Sequence, residues 1–195
     1  MLCNSLKINE IFDSIQFEGG FCGTPATFIR LQGCSVGCSF CDTKKTWNSQ
    51  DGNLFAVQEI CRQVNCNHVV ITGGEPFEQD IFELCELLLS FGKTVQIETS
   101  GTVECDVPDD VFVTLSPKHK YKKLIPQALE RANEFKIVLG KEQDVNDVDV
   151  FKRHGSALWF QPMSRTKKGL DLCIKAAKIH DGRISIQTHT YLGLD

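Results

Sequence analysis

The chain has 195 residues, a net charge of -4, 42% hydrophobic and 24% charged residues, which suits one domain over 1–195 with a sizeable core. The acidic balance gives no electrostatic reason for direct nucleic-acid or anionic-membrane binding. The opening MLCNSLKINEIF is too short and mixed for a secretion signal, and no apolar run nears the ~20 residues that span a bilayer, so a cytoplasmic protein with no membrane contact is expected.

Residues 7–21 mix apolar and polar positions without a clean period and read as an irregular entry segment, with a turn at Glu18-Gly19-Gly20. Residues 26–31 are an apolar, β-branched run, the first core strand. A cysteine-bearing loop follows. Leu54, Val57, Ile60, Cys61 and Val64 share one helical face, predicting a helix over 53–64 with Asn53 as its cap. Residues 68–72 read as a buried strand running into Gly73-Gly74-Glu75-Pro76, and 80–91 as a helix stopped by Gly92. Strands are predicted over 94–98 and 111–115, with no helical pattern between them. A helix over 124–133, a strand over 134–139 and a weak polar helix over 144–154 come next. The chain ends with a strand over 157–160, a helix over 169–180, a strand over 183–187 and a short tail.

This alternation predicts an α/β fold with a mostly parallel sheet and helices outside. A closed eightfold barrel needs about 250 residues. A partial, open, shortened parallel β/α barrel fits this length better. The competing doubly wound sheet usually has a G-x-G-x-x-G turn after its first strand, and Gln32-Gly33-Cys34 does not supply it. Polar motifs follow six of the seven predicted strands: QGC, GGE, ETSG, SPK, QPMS and QTH. Parallel strands end on one face, so these groups are expected to converge on one mouth.

Ten cysteines are present, at positions 3, 22, 34, 38, 41, 61, 66, 85, 105 and 173. A disulfide scaffold is excluded by length, helical pattern and the lack of a secretion signal. Cys61 and Cys85 sit in amphipathic patterns and read as small core hydrophobes. Only Cys34, Cys38 and Cys41 have ligand spacing, C-x3-C-x2-C, on a loop that can aim three sulfurs at one point. An iron–sulfur cluster takes such a set. The alternatives are a zinc site, normally closed by a fourth ligand such as Cys22 or Cys66, and inert thiols.

The trio after a first strand, with Phe40 just before the last cysteine and GGEP at 73–76, resembles the radical S-adenosylmethionine superfamily. The strings IRLQGC, CDTKKTW, HVVITGGEP, IETSGT, SPK, QALERANEFK, QPMS and QTHTYL narrow the resemblance to the 7-carboxy-7-deazaguanine synthase family, over nearly the whole chain. That resemblance implies a shortened partial barrel, active as a homodimer and fed by an external flavodoxin-like electron donor. It implies conversion of the small pterin 6-carboxy-5,6,7,8-tetrahydropterin to 7-carboxy-7-deazaguanine with loss of ammonia, a lyase step of queuosine and 7-deazapurine biosynthesis. A 4Fe–4S cluster would cleave S-adenosylmethionine to a deoxyadenosyl radical, the cofactor being regenerated each turnover, with Mg2+ assisting.

Carried over by position, Cys34, Cys38 and Cys41 match the cluster ligands and Thr43 the magnesium ligand. A hydroxyl suits that hard ion, and a local cap is the other reading of Thr43. Phe40, Cys41, Asp42, Gly74, Ser116, Pro117, Lys118, Gln161, Pro162, Met163 and Ser164 match S-adenosylmethionine contacts, joined by Gly73, Glu75, Glu98 and Ser100. The two glycines would let the ligand approach the backbone, and Glu75 would accept from its amine. Ile15, Gln16, Phe17, Arg30 and Thr72 match substrate contacts. Arg30, a charge on a buried strand, needs a partner, either the pterin carboxylate or an acidic side chain. His189 is a substrate contact or a structural tail residue. Phe17 stands where the family usually has glycine, which puts the local backbone in question. A radical activase with a protein substrate and a zinc- or iron–sulfur-stabilised binding module are the rival functions.

Overall fold

The structure, a computed structural model, describes residues 4–118, 120–152 and 154–193. Cys3, Arg153 of the predicted polar helix and the last two tail residues lie outside them. The strands are β1 (Ser5–Gln16), β2 (Thr24–Leu31), β3 (Asn53–Ala56), β4 (His68–Gly73), β5 (Thr94–Thr99), β6 (Phe112–Leu115), β7 (Glu134–Leu139), β8 (Ala157–Pro162) and β9 (Arg183–Ile184). They form one open sheet in the order β3-β1-β2-β4-β5-β6-β7-β8-β9. From β2 to β9 every pairing is parallel. The expected partial barrel is therefore present, extended at one edge by two antiparallel pairings.

That edge corrects the reading of residues 7–21 as irregular. Residues 7–16 belong to β1, which pairs antiparallel with β2, while the turn follows at Gly19–Phe21. The register slips between Ile8 and Glu10, so one extra residue, Asn9, breaks the two-residue alternation that would have announced a strand. Residue 53 is likewise not a helix cap. Residues 53–56 form β3, and Leu54 is 66% exposed rather than on a buried helical face. The helix α1 (Val57–Arg62) starts later, with the Glu59 carboxylate accepting from the Ala56 N–H at 3.0 Å. The remaining helices are α2 (Phe82–Ser90), α3 (Pro126–Arg131), α4 (Glu142–Asn146), α5 (Asp149–Lys152), α6 (Lys167–His180) and α7 (His189–Leu192). The polar helix over 144–154 is thus two short helices. The last strand is cut to two residues, and the tail carries a single helical turn. No helix lies between β5 and β6, as expected.

Alternation along the parallel strands sets the site. On β7, Phe135, Ile137 and Leu139 join the core under the helices, while Lys136 and Val138 line a cavity on the other face. On β5, Val95 and Ile97 are core and Glu98 lines that same cavity. Phe135, Phe160, Ile29, Ile71 and Ile97 are completely buried. Truncating Phe160 to alanine would cost about 3–5 kcal/mol.

Below the cavity a polar ladder crosses the strands. His68 Nε2 meets Gln96 Oε1 at 2.9 Å, Gln96 Nε2 donates to Thr114 Oγ1 at 2.9 Å, and Thr114 donates to Glu134 at 2.8 Å. Glu134 in turn accepts from the Gly20 N–H at 3.0 Å. The turn Gly19–Phe21 rests on it: a Cβ on Gly19 would sit 2.3 Å from the Glu134 carboxylate. Phe21 closes the bottom, with its ring 4.3 Å from His68 and 4.9 Å from Phe112.

Candidate active site

The strand-end motifs converge as predicted. One cavity of about 770 Å³ is lined by residues from β1, β2, β4, β5, β7 and β8, the cysteine loop and the C-terminal tail. Of the site residues read from the sequence, only Pro117 is not in its wall. Glu10, Phe12, Glu18, Phe28, Lys45, Lys136 and Gln187 also line it and were not singled out. Glu10 and Phe12 were hidden by the misread β1 segment, and Glu18 by its reading as a turn residue alone. Lys136 lay inside the quoted string QALERANEFK, where a lysine alternating with buried Phe135 and Ile137 was the available signal.

The cysteine loop is held by its ends. Gly33 N–H donates to Thr46 O at 2.7 Å and Cys34 N–H to Trp47 O at 3.2 Å. Gln32, 2% exposed, sends its amide to the carbonyls of Lys45 and Asn48 at 3.0 and 2.9 Å. Cys38 is buried and Cys34 half-buried. Burial pushes both thiols up from their ordinary value, so their thiolates need a cationic group to stabilise them. All three cysteines face the cavity. Among the described residues, however, no three His, Cys, Asp or Glu side chains are gathered around one metal-ion position. A polynuclear cluster takes its thiolates at separate corners, and this donor set fits it. The nine described cysteines are all free. Burial raises Cys61 to about 11 and Cys85, Cys105 and Cys173 to about 12, which makes them inert thiols.

The GGEP turn is locked to this loop. Gly74 N–H donates to Leu31 O at 3.1 Å and Glu75 N–H to Gly33 O at 2.9 Å. A Cβ on Gly74 would lie 1.8 Å from Gly33 O, and Gly73 has φ +119 with Leu31 backbone 2.4 Å from its Cβ position. The glycines thus admit a neighbouring strand end, and both also line the cavity. Glu75 is 1% exposed. One carboxylate oxygen accepts from Thr99 Oγ1 at 2.7 Å and Phe77 N–H at 3.3 Å; the other accepts from Ser100 N–H at 2.8 Å and from the Ser100 hydroxyl. Its four lone-pair sites are filled by the protein. Glu75 ties β4 to β5 and leaves no acceptor for an amine.

Arg30 Nε pairs with Glu10 at 2.7 Å, and its guanidinium lies 5.4 Å from the Phe12 ring centroid, which stacks on Phe28. Lys45 also pairs with Glu10, at 3.0 Å. Arg30 therefore has an acidic partner, and it also lines the cavity. Thr43 begins the turn Lys44–Thr46 without a side-chain cap bond. Its hydroxyl donates to Asp42 at 2.8 Å, and its N–H donates to the Cys41 sulfur at 3.4 Å. Lys118 donates to Ser116 O at 3.0 Å and lies 5.6 Å from the Phe40 centroid. Ser164 occupies the left-handed region (φ 59), an uncommon conformation for serine that puts a strained residue in the cavity wall. Phe17 is absent from the positive-φ residues, so no glycine conformation is needed there; its ring stands 6.4 Å from His189.

A charged network occupies another part of the cavity wall. Lys136 Nζ pairs with Glu18 at 2.5 Å and Glu98 at 2.7 Å. Burial disfavours its charge, but the two carboxylates outweigh this and hold the ammonium well above the usual lysine range. Burial likewise opposes ionisation of Glu18, and Lys136 overcomes it, keeping the carboxyl below its ordinary value. Gln16 donates to Glu98 at 3.0 Å, and Gln187 donates to Glu18 and Asp42 at 3.0 and 3.1 Å. Glu98 was expected beside S-adenosylmethionine; here it joins Gln16.

An open, mostly parallel sheet carrying three loop cysteines and a GGEP turn at one mouth is the architecture of radical S-adenosylmethionine proteins, and residues 28–134 match the Radical SAM superfamily. Such proteins work through a 4Fe–4S cluster and S-adenosylmethionine. The chain is 37% identical to the 7-carboxy-7-deazaguanine synthase of Escherichia coli, over 96% of this chain and 98% of that one. It is 37% identical to the Synechocystis sp. synthase over 100% and 96%, and 34% to that of Aquifex aeolicus over 89% and 84%. The crystal structure of QueE from Escherichia coli superposes with a TM-score of 0.86, at 37% identity and 94% coverage of each chain. The chain belongs to the 7-carboxy-7-deazaguanine synthase family.

Proposed function

We propose that residues 1–195 act as one domain, a cytoplasmic 7-carboxy-7-deazaguanine synthase that converts 6-carboxy-5,6,7,8-tetrahydropterin to 7-carboxy-7-deazaguanine and ammonia. The observation that carries this reading is the single cavity in which the cysteine loop, the strand ends and Arg30 meet. Its volume, about 770 Å³, has room for a nucleoside cofactor and a pterin together. Among the described residues no helix is long and apolar enough to cross a membrane.

Cys34, Cys38 and Cys41 would hold the cluster, and S-adenosylmethionine with the cluster supplies radical chemistry that no side chain here provides. Phe40, Asp42, Gly74, Ser116, Lys118 and Gln161 to Ser164 would cradle the cofactor, with Pro117 shaping the loop behind. Ser100, already fixed by Glu75, would stand at its edge. Arg30 would bind the pterin carboxylate, with Ile15, Gln16, Phe17 and Thr72 around the ring and His189 over it. Thr43 would exchange its bond to Asp42 for a magnesium ion that also meets the substrate carboxylate. The active form would be a homodimer reduced by a flavodoxin-like carrier. The test is anaerobic reconstitution, iron and sulfide analysis, then incubation with the pterin, S-adenosylmethionine and a reductant. Formation of 7-carboxy-7-deazaguanine is expected; a colourless zinc protein that makes none would overturn the reading.

A further inference from the structure

Glu18, Lys136 and Glu98 form a second polar cluster in the cavity, and among the described residues its hydrogen bonding is incomplete. The side chains are 11%, 5% and 20% exposed. An ammonium this buried must be paired, and two carboxylates pair it. Among the described residues each carboxylate oxygen then has one donor: Glu18 takes Lys136 and Gln187, and Glu98 takes Lys136 and Gln16. A carboxylate offers about four lone-pair sites, so each retains half its capacity. Lys136 spends two of its three ammonium hydrogens on them. Buried acceptors are normally satisfied, and these line a cavity.

We infer that Lys136 is a positioning residue that holds Glu18 and Glu98 as a paired acceptor for the 2-amino-4-oxopyrimidine edge of the pterin, and so sets selectivity for that ring. The inference rests on the proposed function. That edge presents neighbouring N–H donors at the amino group and the ring nitrogen, which carboxylates accept in strong, charge-assisted bonds. The spare ammonium hydrogen suits the ring oxo group. Lys136 contributes twice. Its charge holds the Glu18 carboxyl below its ordinary value, and its two bonds fix the separation of Glu18 and Glu98. An analogue with oxygen in place of the amino group would set a lone pair against a carboxylate and be rejected.

The experiment uses reconstituted enzyme with S-adenosylmethionine bound, and equilibrium dialysis of 6-carboxypterin against 6-carboxylumazine, which lacks the amino group. The unaltered protein should prefer 6-carboxypterin by at least about 100-fold. Lys136→Met should cut that preference below about tenfold while S-adenosylmethionine binding persists, and Lys136→Arg should restore part of it. If Lys136→Met does not fold, Glu98→Gln leaves Lys136 paired with Glu18 and reads the same ratio. An undiminished preference in the folded variants overturns the inference alone. Failure of the unaltered protein to bind either compound overturns both the inference and the proposed function.

Discussion

Glu75 and the Glu18–Glu98 pair are carboxylates in the wall of one cavity, and they are built oppositely. Glu75 has every lone pair filled by Thr99, Ser100 and Phe77, and its turn is pinned to Gly33 through Gly74. Glu18 and Glu98 are half satisfied and depend on one lysine. A saturated carboxylate fixes the backbone, which is what a loop beside a cluster needs. A half-satisfied one is a waiting acceptor, which a substrate site needs. Burial alone does not separate the two roles; counting donors does.

The strongest way to break this comparison is at the loop that Glu75 serves. Cys38→Ser should abolish turnover and remove iron from anaerobically reconstituted protein, read by metal analysis, with the fold kept by circular dichroism. Glu75→Ala should then cost about 3 kcal/mol or more in apo-protein denaturation, because Ser100 N–H and two hydroxyls lose a charged acceptor in a buried site. Gly74→Ala should cost about 1–3 kcal/mol in the same assay, since its Cβ would meet the Gly33 backbone rather than a movable side chain.

The triad sharpens the contrast through pH. Glu18 is held below its ordinary value of 4.5, so the stability it contributes is present above that pH and lost as pH falls through the depressed value. Lys136 is held above 10.5, so its contribution is complete below that pH and lost as pH rises through the elevated value. The pair should therefore give a flat stability plateau between these limits, and Lys136→Met should lower the plateau by about 3–5 kcal/mol. The smallest effect is expected at the rim. Lys45→Ala removes an exposed partner of Glu10 and should change stability by less than about 1 kcal/mol in urea titration.

The parallel core of the fold and the cavity mouth were legible because strand ends carry their chemistry in short local strings. Residues 68–72 and 157–160 announced themselves as apolar runs next to polar motifs. The antiparallel edge was not legible. The extra residue Asn9 hides the alternation of β1, and Leu54 mimics a helical face although it is exposed on β3. The site was read well where a motif is contiguous, as in the cysteine loop. It was read poorly where partners come from distant strands: nothing local says that Lys136 meets Glu18, 118 positions away. The glycines of GGEP teach the same point, since their neighbours are the Leu31 and Gly33 backbones, which only the fold supplies.

The central claim, that one cavity supports a pterin ring contraction with the cofactor regenerated, is tested most directly by stoichiometry. Reconstituted enzyme with excess 6-carboxytetrahydropterin and limiting S-adenosylmethionine should form many equivalents of 7-carboxy-7-deazaguanine per cofactor, measured by mass spectrometry. Accumulation of 5'-deoxyadenosine without that product, or with a radical left on a partner protein, would contradict it.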